Sequence, residues 1–404
     1  MVRILLVSSI TLLLGGVWGC DTLFTSAPEP GETFDQPLPG LTRDQQLAFS
    51  RGDEAFAKTF TFVEGLGPIF NQPSCEGCHP SDGKSHPRTN LLRFGKNTPG
   101  LFDPLLELGG PQLQERSIPG VPPEELPVEA NAISVRSGPP VFGMGLIESI
   151  PDVSILVASD PNDTNGDGIS GRPNFVPAPT WLTSEPGPYG GRYLGRFGRK
   201  AGTPFLRQQV ATAYSQDMGI TSDLLPDENP HPQAGILGDD VPDPEVSSAT
   251  VGDVVFYLRT LAPPQRGARD SRVERGEQVF SQIGCASCHI PAMRTGPHPT
   301  ITALNNVEVR LYSDLLLHDM GPVLADNFVE GDASGTEWRT APLWGLRLIE
   351  QHLGGTPFYL HDGRTSDLRE AIRAHGGEAE ATRNRFLALP VDDAEALIAF
   401  LRSL

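Results

Sequence analysis

Positive charge is scarce in this 404-residue chain. It carries 31 lysine and arginine residues against 50 aspartate and glutamate residues, which gives a formal net charge of -19 at pH 7. Nucleic acids and anionic membrane faces both require clustered cations, so the composition argues against either of them as a binding partner. A basic protein partner would suit this surface better.

Long hydrophobic runs are scarce as well. The run Ile4–Leu14 follows Arg3 and precedes small residues. It is too short to span a membrane and has the form of a secretory signal, so residues 1–19 predict export to the periplasmic side of a bacterial cell. The letters VWGC resemble a lipobox ending at Cys20, which predicts a lipid anchor; the alternative is ordinary cleavage, with Cys20 lost or left free. Residues 20–44, rich in proline, glycine and acids, predict a tether.

Cysteine is the third scarce feature. Five cysteines are present, and four of them fall in two C-x-x-C-H patterns formed by Cys75, Cys78 and His79 and by Cys285, Cys288 and His289. On one helical turn the three side chains share a face, so two thioether bonds can hold a porphyrin edge while the imidazole reaches the iron. The pattern predicts two covalently bound haem c groups. The alternatives are a redox-active dithiol, a zinc site with four cysteine ligands, and a disulfide within each pair.

The surroundings of the two motifs are also repeated. Phe70 and Gln72 recur as Phe280 and Gln282, with the same offset as the motifs. An amphipathic segment precedes each motif, and the helical segments containing FYLRTL and FLRSL close the two halves. We expect each closing helix to pack on the first helix of its half, as in a cytochrome c domain.

The sequence therefore predicts a mainly α protein with two tandem cytochrome c-like domains, at residues 45–265 and 266–404. The boundary lies in the polar, proline-rich segment 262–271. The 39 prolines and 44 glycines predict long irregular loops, above all an insertion across residues 150–245.

Five further segments resemble the di-haem cytochrome c peroxidase superfamily, and within it the branch called di-haem or thiol oxidoreductases. They are GRFGRKAG (195–202), DMGIT (217–221), DLLLHDMG (314–321), EWRTAPLWGL (337–346) and LHDGRTSDLREAI (360–372). The resemblance covers nearly all of residues 45–404. It implies a C-terminal haem that receives electrons from a small redox protein, of the cytochrome c or cupredoxin type, and an N-terminal haem open to hydrogen peroxide.

On this basis the chain is expected to be a peroxidase that reduces hydrogen peroxide. One alternative is a non-catalytic di-haem electron-transfer cytochrome. Another is an enzyme that uses a high-valent haem to oxidise a dedicated partner or substrate.

The resemblance also implies a second axial ligand for the C-terminal haem, fourteen residues after the histidine of the HDG motif. That histidine is His361, so the position is His375, and we expect bis-histidine coordination by His289 and His375. Ser366 would cap the helix that leads to it. The alternatives are that His375 only caps the end of the helix and that His318, or after it Met320, is the ligand.

At the N-terminal haem, Arg136 and Glu148 are the candidates for assisting peroxide cleavage. Glu148 among apolar neighbours would have a raised pKa suited to proton transfer; the alternative is an exposed or ion-paired acid. Met144 could instead close the haem as a sixth ligand. His86 is another candidate ligand, although a solvated loop position suits it better.

Tryptophan is missing where peroxidases of this superfamily place one between the haems. None occurs between Trp18 and Trp181. Phe142 could take that place, or Trp338 and Trp344 could provide the route between the haems. The alternative is that both tryptophans are core aromatics.

A possible calcium loop lies in the insertion. Asp163, Asn165 and Asp167, followed by Gly168, match the first, third, fifth and sixth positions of such a loop. The twelfth position is Asn174, so the usual bidentate glutamate is missing. Relatives bind calcium between their domains, which favours a calcium ion; the alternative is a loop of Asx turns.

Overall fold

The computed structural model describes residues 31–404, so the predicted signal peptide and Cys20 lie outside the described residues. Residues 31–404 form eleven α-helices: α1 (Arg43–Ala57), α2 (Cys75–Cys78), α3 (Met144–Glu148), α4 (Asp152–Leu156), α5 (Leu206–Met218), α6 (Ser248–Thr260), α7 (Ser271–Gln282), α8 (Leu346–His352), α9 (Leu368–Arg373), α10 (Glu380–Leu387) and α11 (Val391–Leu401).

The same residues form twelve short strands: β1 (Ile69–Phe70), β2 (Leu91–Thr98), β3 (Leu101–Asp103), β4 (Gln112–Leu113), β5 (Arg116–Ser117), β6 (Ala132–Arg136), β7 (Phe175–Val176), β8 (Tyr193–Leu194), β9 (Met293–Arg294), β10 (Glu308–Val309), β11 (Leu317–Asp319) and β12 (Glu337–Arg339). The expectation of a helix-rich chain with few small strands is confirmed.

In the first half, α1 and α6 cross at a glycine. A Cβ atom added at Gly52 would collide with the carbonyl oxygen of Asp253 and lie 2.5 Å from the Cβ of Tyr257. One turn further along α1, the ring of Phe56 packs 5.6 Å from the ring of Tyr257. The two helices can approach this closely because residue 52 has no side chain.

In the second half, α7 and α11 cross in the same way. A Cβ atom at Gly276 would collide with the carbonyl oxygen of Ala396 and lie 2.7 Å from the Cβ of Phe400. The ring of Phe280, one turn further on, lies 5.1 Å from the ring of Phe400. The expected packing of each closing helix on the first helix of its half is confirmed.

This crossing corrects one part of the predicted repeat. Phe280 is buried in α7, whereas Phe70 is only half-buried and lies in β1, opposite Arg116 of β5. The structural counterpart of Phe280 is therefore Phe56, which follows its glycine at the same spacing. The offset between the C-x-x-C-H motifs does not extend to the helices before them.

Two sheets position Arg136 and His318. β2 pairs with β3, β4 and β6 in an antiparallel sheet, with Arg136 of β6 opposite Leu91. In the second half β11 pairs with β12, which puts His318 opposite Trp338. The remaining strands form the two-stranded pairs β1 with β5, β7 with β8, and β9 with β10.

The core is divided into two large hydrophobic clusters. One is built on the first half but also takes in apolar side chains of residues 293–316, such as Leu304 and Leu316. The other surrounds α7 and α11. The two halves are thus packed into each other.

The described part of the predicted tether lies against this body. Phe34, Leu38 and Leu41 are buried in the first cluster. The amide of Leu38 donates to the carbonyl of Thr260, at the end of α6, over 2.7 Å.

No helix within residues 31–404 combines the length and the apolar character needed to cross a lipid bilayer.

Candidate haem sites

The first C-x-x-C-H motif forms a single helical turn. The Ser74 side chain caps it by accepting a hydrogen bond from the amide of Gly77 over 3.1 Å. The amide of His79 donates to the carbonyl of Cys75 over 2.9 Å, which closes the turn. Burial raises the pKa of Cys75 and of Cys78 to about 12, so both side chains are neutral thiols.

The His79 ring lies against the backbone of Gly138, where an added Cβ atom would be 2.8 Å from the imidazole Cε1. Burial lowers the pKa of His79 to about 4, and repulsion by Arg199 contributes to the shift. The ring is therefore neutral, which is the form that binds a metal. Its Nδ1 is buried and has no hydrogen-bond partner among residues 31–404.

The second motif has the same closure on a tighter turn. Residues Cys285–Ser287 form a 3₁₀ turn, and the amide of His289 donates to the carbonyl of Cys285 over 3.0 Å. The Nδ1 of His289 donates to the carbonyl of Tyr312 over 2.9 Å, so Nε2 is the ring nitrogen left for a ligand. Burial lowers the pKa of His289 to about 4, which keeps the ring neutral.

His375 follows α9, whose N-cap is Asp367 and not the predicted Ser366, because the Asp367 carboxylate accepts from the amide of Arg369 over 2.8 Å. The His375 Nδ1 donates to the carbonyl of Ala371 over 2.7 Å, which again leaves Nε2. This bond is the helix cap that the alternative interpretation predicted. Burial lowers the pKa of His375, however, so the ring that caps the helix is neutral and not a cation. After burial, repulsion by His375 is the next cause that lowers the pKa of His289.

His318, the alternative ligand, is fully engaged. Its Nε2 lies 2.8 Å from a carboxylate oxygen of Asp314, and its Nδ1 lies 2.7 Å from one of Glu378. Burial opposes protonation, but these hydrogen bonds raise the pKa of His318 to about 12. Both nitrogens carry protons, so this imidazolium has no lone pair to offer an iron.

The donors at the two motifs fit haem better than they fit the other sites considered from the sequence. Among the described residues the four cysteines form no disulfide with one another, which excludes a disulfide within either motif in this structure. A reactive dithiol requires a thiolate, and the raised thiol pKa at both motifs disfavours one. Within residues 31–404 no potential metal-binding group joins the two cysteine pairs, as a four-cysteine zinc site would.

Glu148 is not in the apolar surroundings expected for a proton carrier. Its carboxylate lies 2.6 Å from Nε of Arg259 and also accepts from the amide of Leu206, over 2.9 Å, at the start of α5. Glu148 is therefore an ion-paired acid that links its own helix, α3, to α5 and α6.

Arg136 forms a different ion pair, with Glu330. It is buried, and its guanidinium lies 2.6 Å from a carboxylate oxygen of Glu330 and 2.8 Å from the hydroxyl of Ser134. The structure thus places Arg136 and Glu148 in separate ion pairs, each with its own partner.

The alternative ligand His86 also has a local role. Its Nδ1 accepts from the amide of Arg88 over 3.1 Å, and its ring packs 5.0 Å from the ring of Phe358.

A stacked aromatic pair lies between the two motifs. The rings of Trp338 and His361 are 3.8 Å apart at an angle of 15°. On the first side, the carbonyl of His361 accepts from the amide of Ser137 over 2.8 Å, and Ser137 precedes the Gly138 that touches His79. On the second side, Trp338 lies opposite His318, whose Nδ1 is 3.7 Å from Sγ of Cys288.

Trp344 lies apart from this stack, 6.3 Å from the ring of Phe142. The sequence pointed to both tryptophans through their motif, but nothing in it indicated that His361 would stack on Trp338.

The predicted calcium loop is closed by its own hydrogen bonds. The Asp163 carboxylate accepts from the amide of Gly168 over 3.1 Å, and the Asp167 carboxylate accepts from the amide of Ile169 over 2.9 Å. Asn165 accepts from the amide of Asp167 over 2.9 Å. The bonds of Asn165 and Asp167 are Asx turns, as in the alternative interpretation, whereas the bond of Asp163 spans five residues.

The side chain at the twelfth position of that loop, Asn174, bonds to residues outside the loop. Asn174 is buried, and its amide donates to the carbonyls of Lys200 and Glu330 over 2.7 and 2.9 Å.

Comparison with known families defines the class of this protein. The family model described as "Di-haem oxidoreductase, putative peroxidase" matches residues 125–404. The chain therefore belongs to the di-haem oxidoreductase family, and haem is the cofactor that this membership implies. The match includes the second C-x-x-C-H motif, whereas the first lies before it.

No curated protein matches the chain. Two solved structures are similar over nearly its whole length. Hydrazine synthase from Kuenenia stuttgartiensis, pressurised with xenon, is 14% identical, with 100% of both chains covered and a TM-score of 0.36. A MauG-like protein associated with microbial copper homeostasis is 14% identical, with 96% of this chain and 95% of that chain covered and a TM-score of 0.40. Likeness this distant does not bear on what the chain does.

Proposed function

We propose that this protein is a di-haem c-type peroxidase, with one haem attached at Cys75 and Cys78 and the other at Cys285 and Cys288. It would reduce hydrogen peroxide to two water molecules with two electrons and two protons. The observation that carries this proposal is the state of the motif histidine His289, which is buried and neutral and keeps Nε2 free. Bound haem would supply an iron that exchanges single electrons and binds peroxide.

The C-terminal haem is proposed to be the six-coordinate one. His289 and His375 each use Nδ1 on a backbone carbonyl, so both keep Nε2 for a ligand. Such bonds orient a ligating imidazole and fix its tautomer. Electrons would enter here from a small redox protein of the cytochrome c or cupredoxin type, and a basic face on that donor would complement the net charge of -19.

The N-terminal haem is proposed to be open on the side away from His79. His86, the histidine nearest to it in sequence, already accepts a hydrogen bond from the amide of Arg88. Glu148, the candidate for proton transfer at this haem, is engaged in an ion pair with Arg259.

Electron transfer between the haems is proposed to pass through the stack of Trp338 and His361, which connects the surroundings of the two motifs. The variant Trp338→Phe should slow electron equilibration between the haems in half-reduced protein, since phenylalanine is harder to oxidise. Trp181→Phe is the matched control and should leave the rate unchanged. Equal rates in both variants would remove Trp338 from the route.

We also propose a cellular location, a lipid anchor and a calcium site. The protein would be exported and attached on the periplasmic side through a lipid on Cys20, and the loop of Asp163, Asn165 and Asp167 would bind calcium. Mass spectrometry of membrane-extracted protein would test the lipid, and calorimetry with Ca²⁺ would test the loop.

Low-temperature electron paramagnetic resonance of the matured protein, oxidised and half-reduced, tests the proposal. A high-spin ferric signal that disappears when hydrogen peroxide is added is the expected result. Two low-spin haems in every redox state, unaffected by peroxide, would instead make the protein an electron carrier.

The same spectra test the axial ligand of the C-terminal haem. The variant His375→Met should change one low-spin signal and leave the signal of the other haem in place. An unchanged spectrum would exclude His375 as the ligand. Analysis of reaction products would then separate a peroxidase from an oxidase of a dedicated partner.

A further inference from the structure

Three cations, Lys84, Arg199 and Arg339, lie together where the two halves meet, and we call them the cation cluster. The Nζ of Lys84 donates to the carbonyl of Leu360 over 3.0 Å. Arg199 donates to the carbonyl of Ser137, with Nη2 at 2.7 Å. The amide of Arg339 donates to the carbonyl of Arg199 over 3.0 Å, which ties the last two together.

None of the three cations has a carboxylate oxygen within 4.0 Å among residues 31–404. Their polar partners are main-chain carbonyls and one hydroxyl, that of Ser137. The acids nearby belong to other cations. Those pairs are Glu330 with Arg136, Asp326 with Lys200 and Asp362 with Arg364.

The cation cluster is electrostatically unfavourable as it stands. Burial lowers the pKa of Arg199 to about 9, and repulsion by Arg339 adds to the shift. Burial also lowers the pKa of Lys84, with repulsion by Arg199 as the next cause, and lowers the pKa of Arg339 to about 10. Buried like charges persist where an anion compensates them.

The cation cluster adjoins both motifs. On the first side, Ser137, whose carbonyl accepts from Arg199, is next to the Gly138 that touches His79. On the second side, attraction by Asp314 partly offsets the lowered pKa of Arg339. The amide of Asp314 donates to the carbonyl of Cys288 over 2.9 Å.

We propose that Lys84, Arg199 and Arg339 bind the propionate carboxylates of haem at the junction of the two halves. This proposal rests on the proposed presence of haem at the motifs, but not on peroxidase activity. A haem held at one edge by a C-x-x-C-H motif carries its two carboxylates at another edge, and guanidinium groups bind carboxylates with strong, directed hydrogen bonds.

The test compares Arg199→Leu, the conservative variant Arg199→Lys, and the control Arg310→Leu, which removes an exposed arginine paired with Glu308. Haem content is measured first, and it should stay at two per chain because the attachment cysteines are intact. Spectroelectrochemical titration should then give a lower midpoint potential for at least one haem in Arg199→Leu, because an uncompensated propionate favours ferric iron. The potential should recover partly in Arg199→Lys and be unchanged in Arg310→Leu.

Infrared difference spectra of protein with ¹³C-labelled propionates provide a readout independent of turnover. The carboxylate bands should shift in Arg199→Leu and in Lys84→Met, so the second variant serves if the first does not fold. Unchanged potentials and unchanged bands in both variants would overturn the proposal. It would also be overturned if inorganic phosphate bound the haem-loaded protein at these residues, since the cluster would then take a free anion.

The outcomes separate the two proposals. Protein without haem would refute the proposed function at the first measurement. Protein with two haems but no reaction with peroxide would refute the peroxidase and still leave the propionate test intact.

Discussion

The two halves of the chain have nearly the same helical crossing and different sites. Gly52 and Phe56 of α1 meet α6 as Gly276 and Phe280 of α7 meet α11. At the motifs, however, the Nδ1 of His289 has a carbonyl partner, whereas the Nδ1 of His79 is buried without a partner within residues 31–404. The helix crossing shared by the two halves positions each motif, and the loops around the motif determine what surrounds its histidine.

The largest expected effect tests whether the halves are independent in holding haem. Replacing Cys75 and Cys78 by serine, or Cys285 and Cys288 by serine, should in each case reduce covalently bound haem from two to one per chain. The pyridine haemochrome assay and intact mass measure this loss. Loss of both haems from either variant would mean that one site matures only when the other is filled.

The next effect is specific to the second half, because its motif adjoins the ion network of His318. The variant His318→Gln leaves the carboxylates of Asp314 and Glu378 without their cation, which should lower the free energy of unfolding by about 3 kcal/mol. Denaturant unfolding of the haem-loaded protein measures it. Arg383→Gln, which removes a surface pair with Glu380, is the control and should cost less than about 0.5 kcal/mol.

The pH dependence of this effect has a definite sign. The folded pKa of His318, about 12, is above the ordinary value of 6.5, so the stabilisation is complete below pH 6.5 and is lost as the pH rises toward 12. The difference between the wild type and His318→Gln should therefore narrow at alkaline pH. A difference that widens would contradict the proposed imidazolium.

The smallest effect tests the similarity of the two halves directly. Gly52→Ala and Gly276→Ala each place a methyl group against a carbonyl oxygen of the facing helix. Each should lower the free energy of unfolding by about 1–3 kcal/mol, and by similar amounts in the two halves. Gly252→Ala is the matched control, since a Cβ atom in that position of α6 meets nothing within 4 Å. A clear cost at one crossing alone would show that the two frames are not equivalent.

The motifs and the helix pairs could be predicted from sequence because each depends on local spacing. The offset that relates Cys75 to Cys285 misled the alignment of the preceding helices, since Gly52 lies 23 residues before Cys75 and Gly276 lies nine before Cys285. Residues 58–74 intervene in the first half, so counting letters outward from the motif paired Phe70 with Phe280.

The ion pairs could not be predicted in this way. Glu148 and Arg259 are 111 positions apart, and Arg136 and Glu330 are 194 positions apart. The sequence around Glu148 and around Arg136 gives no indication of these distant partners. The roles assigned to Glu148 and Arg136 from neighbouring letters therefore lacked the contacts that determine their charge and orientation.

The docking of residues 31–41 onto the body has a consequence for where the protein can work. If Cys20 carries the predicted lipid, eleven residues connect it to Gly31, which is buried and whose carbonyl accepts a hydrogen bond from Arg347. Eleven residues span at most about 40 Å. The rest of the protein would then stay within a thin layer next to the bilayer. A soluble electron donor would have to diffuse into that layer to reach it.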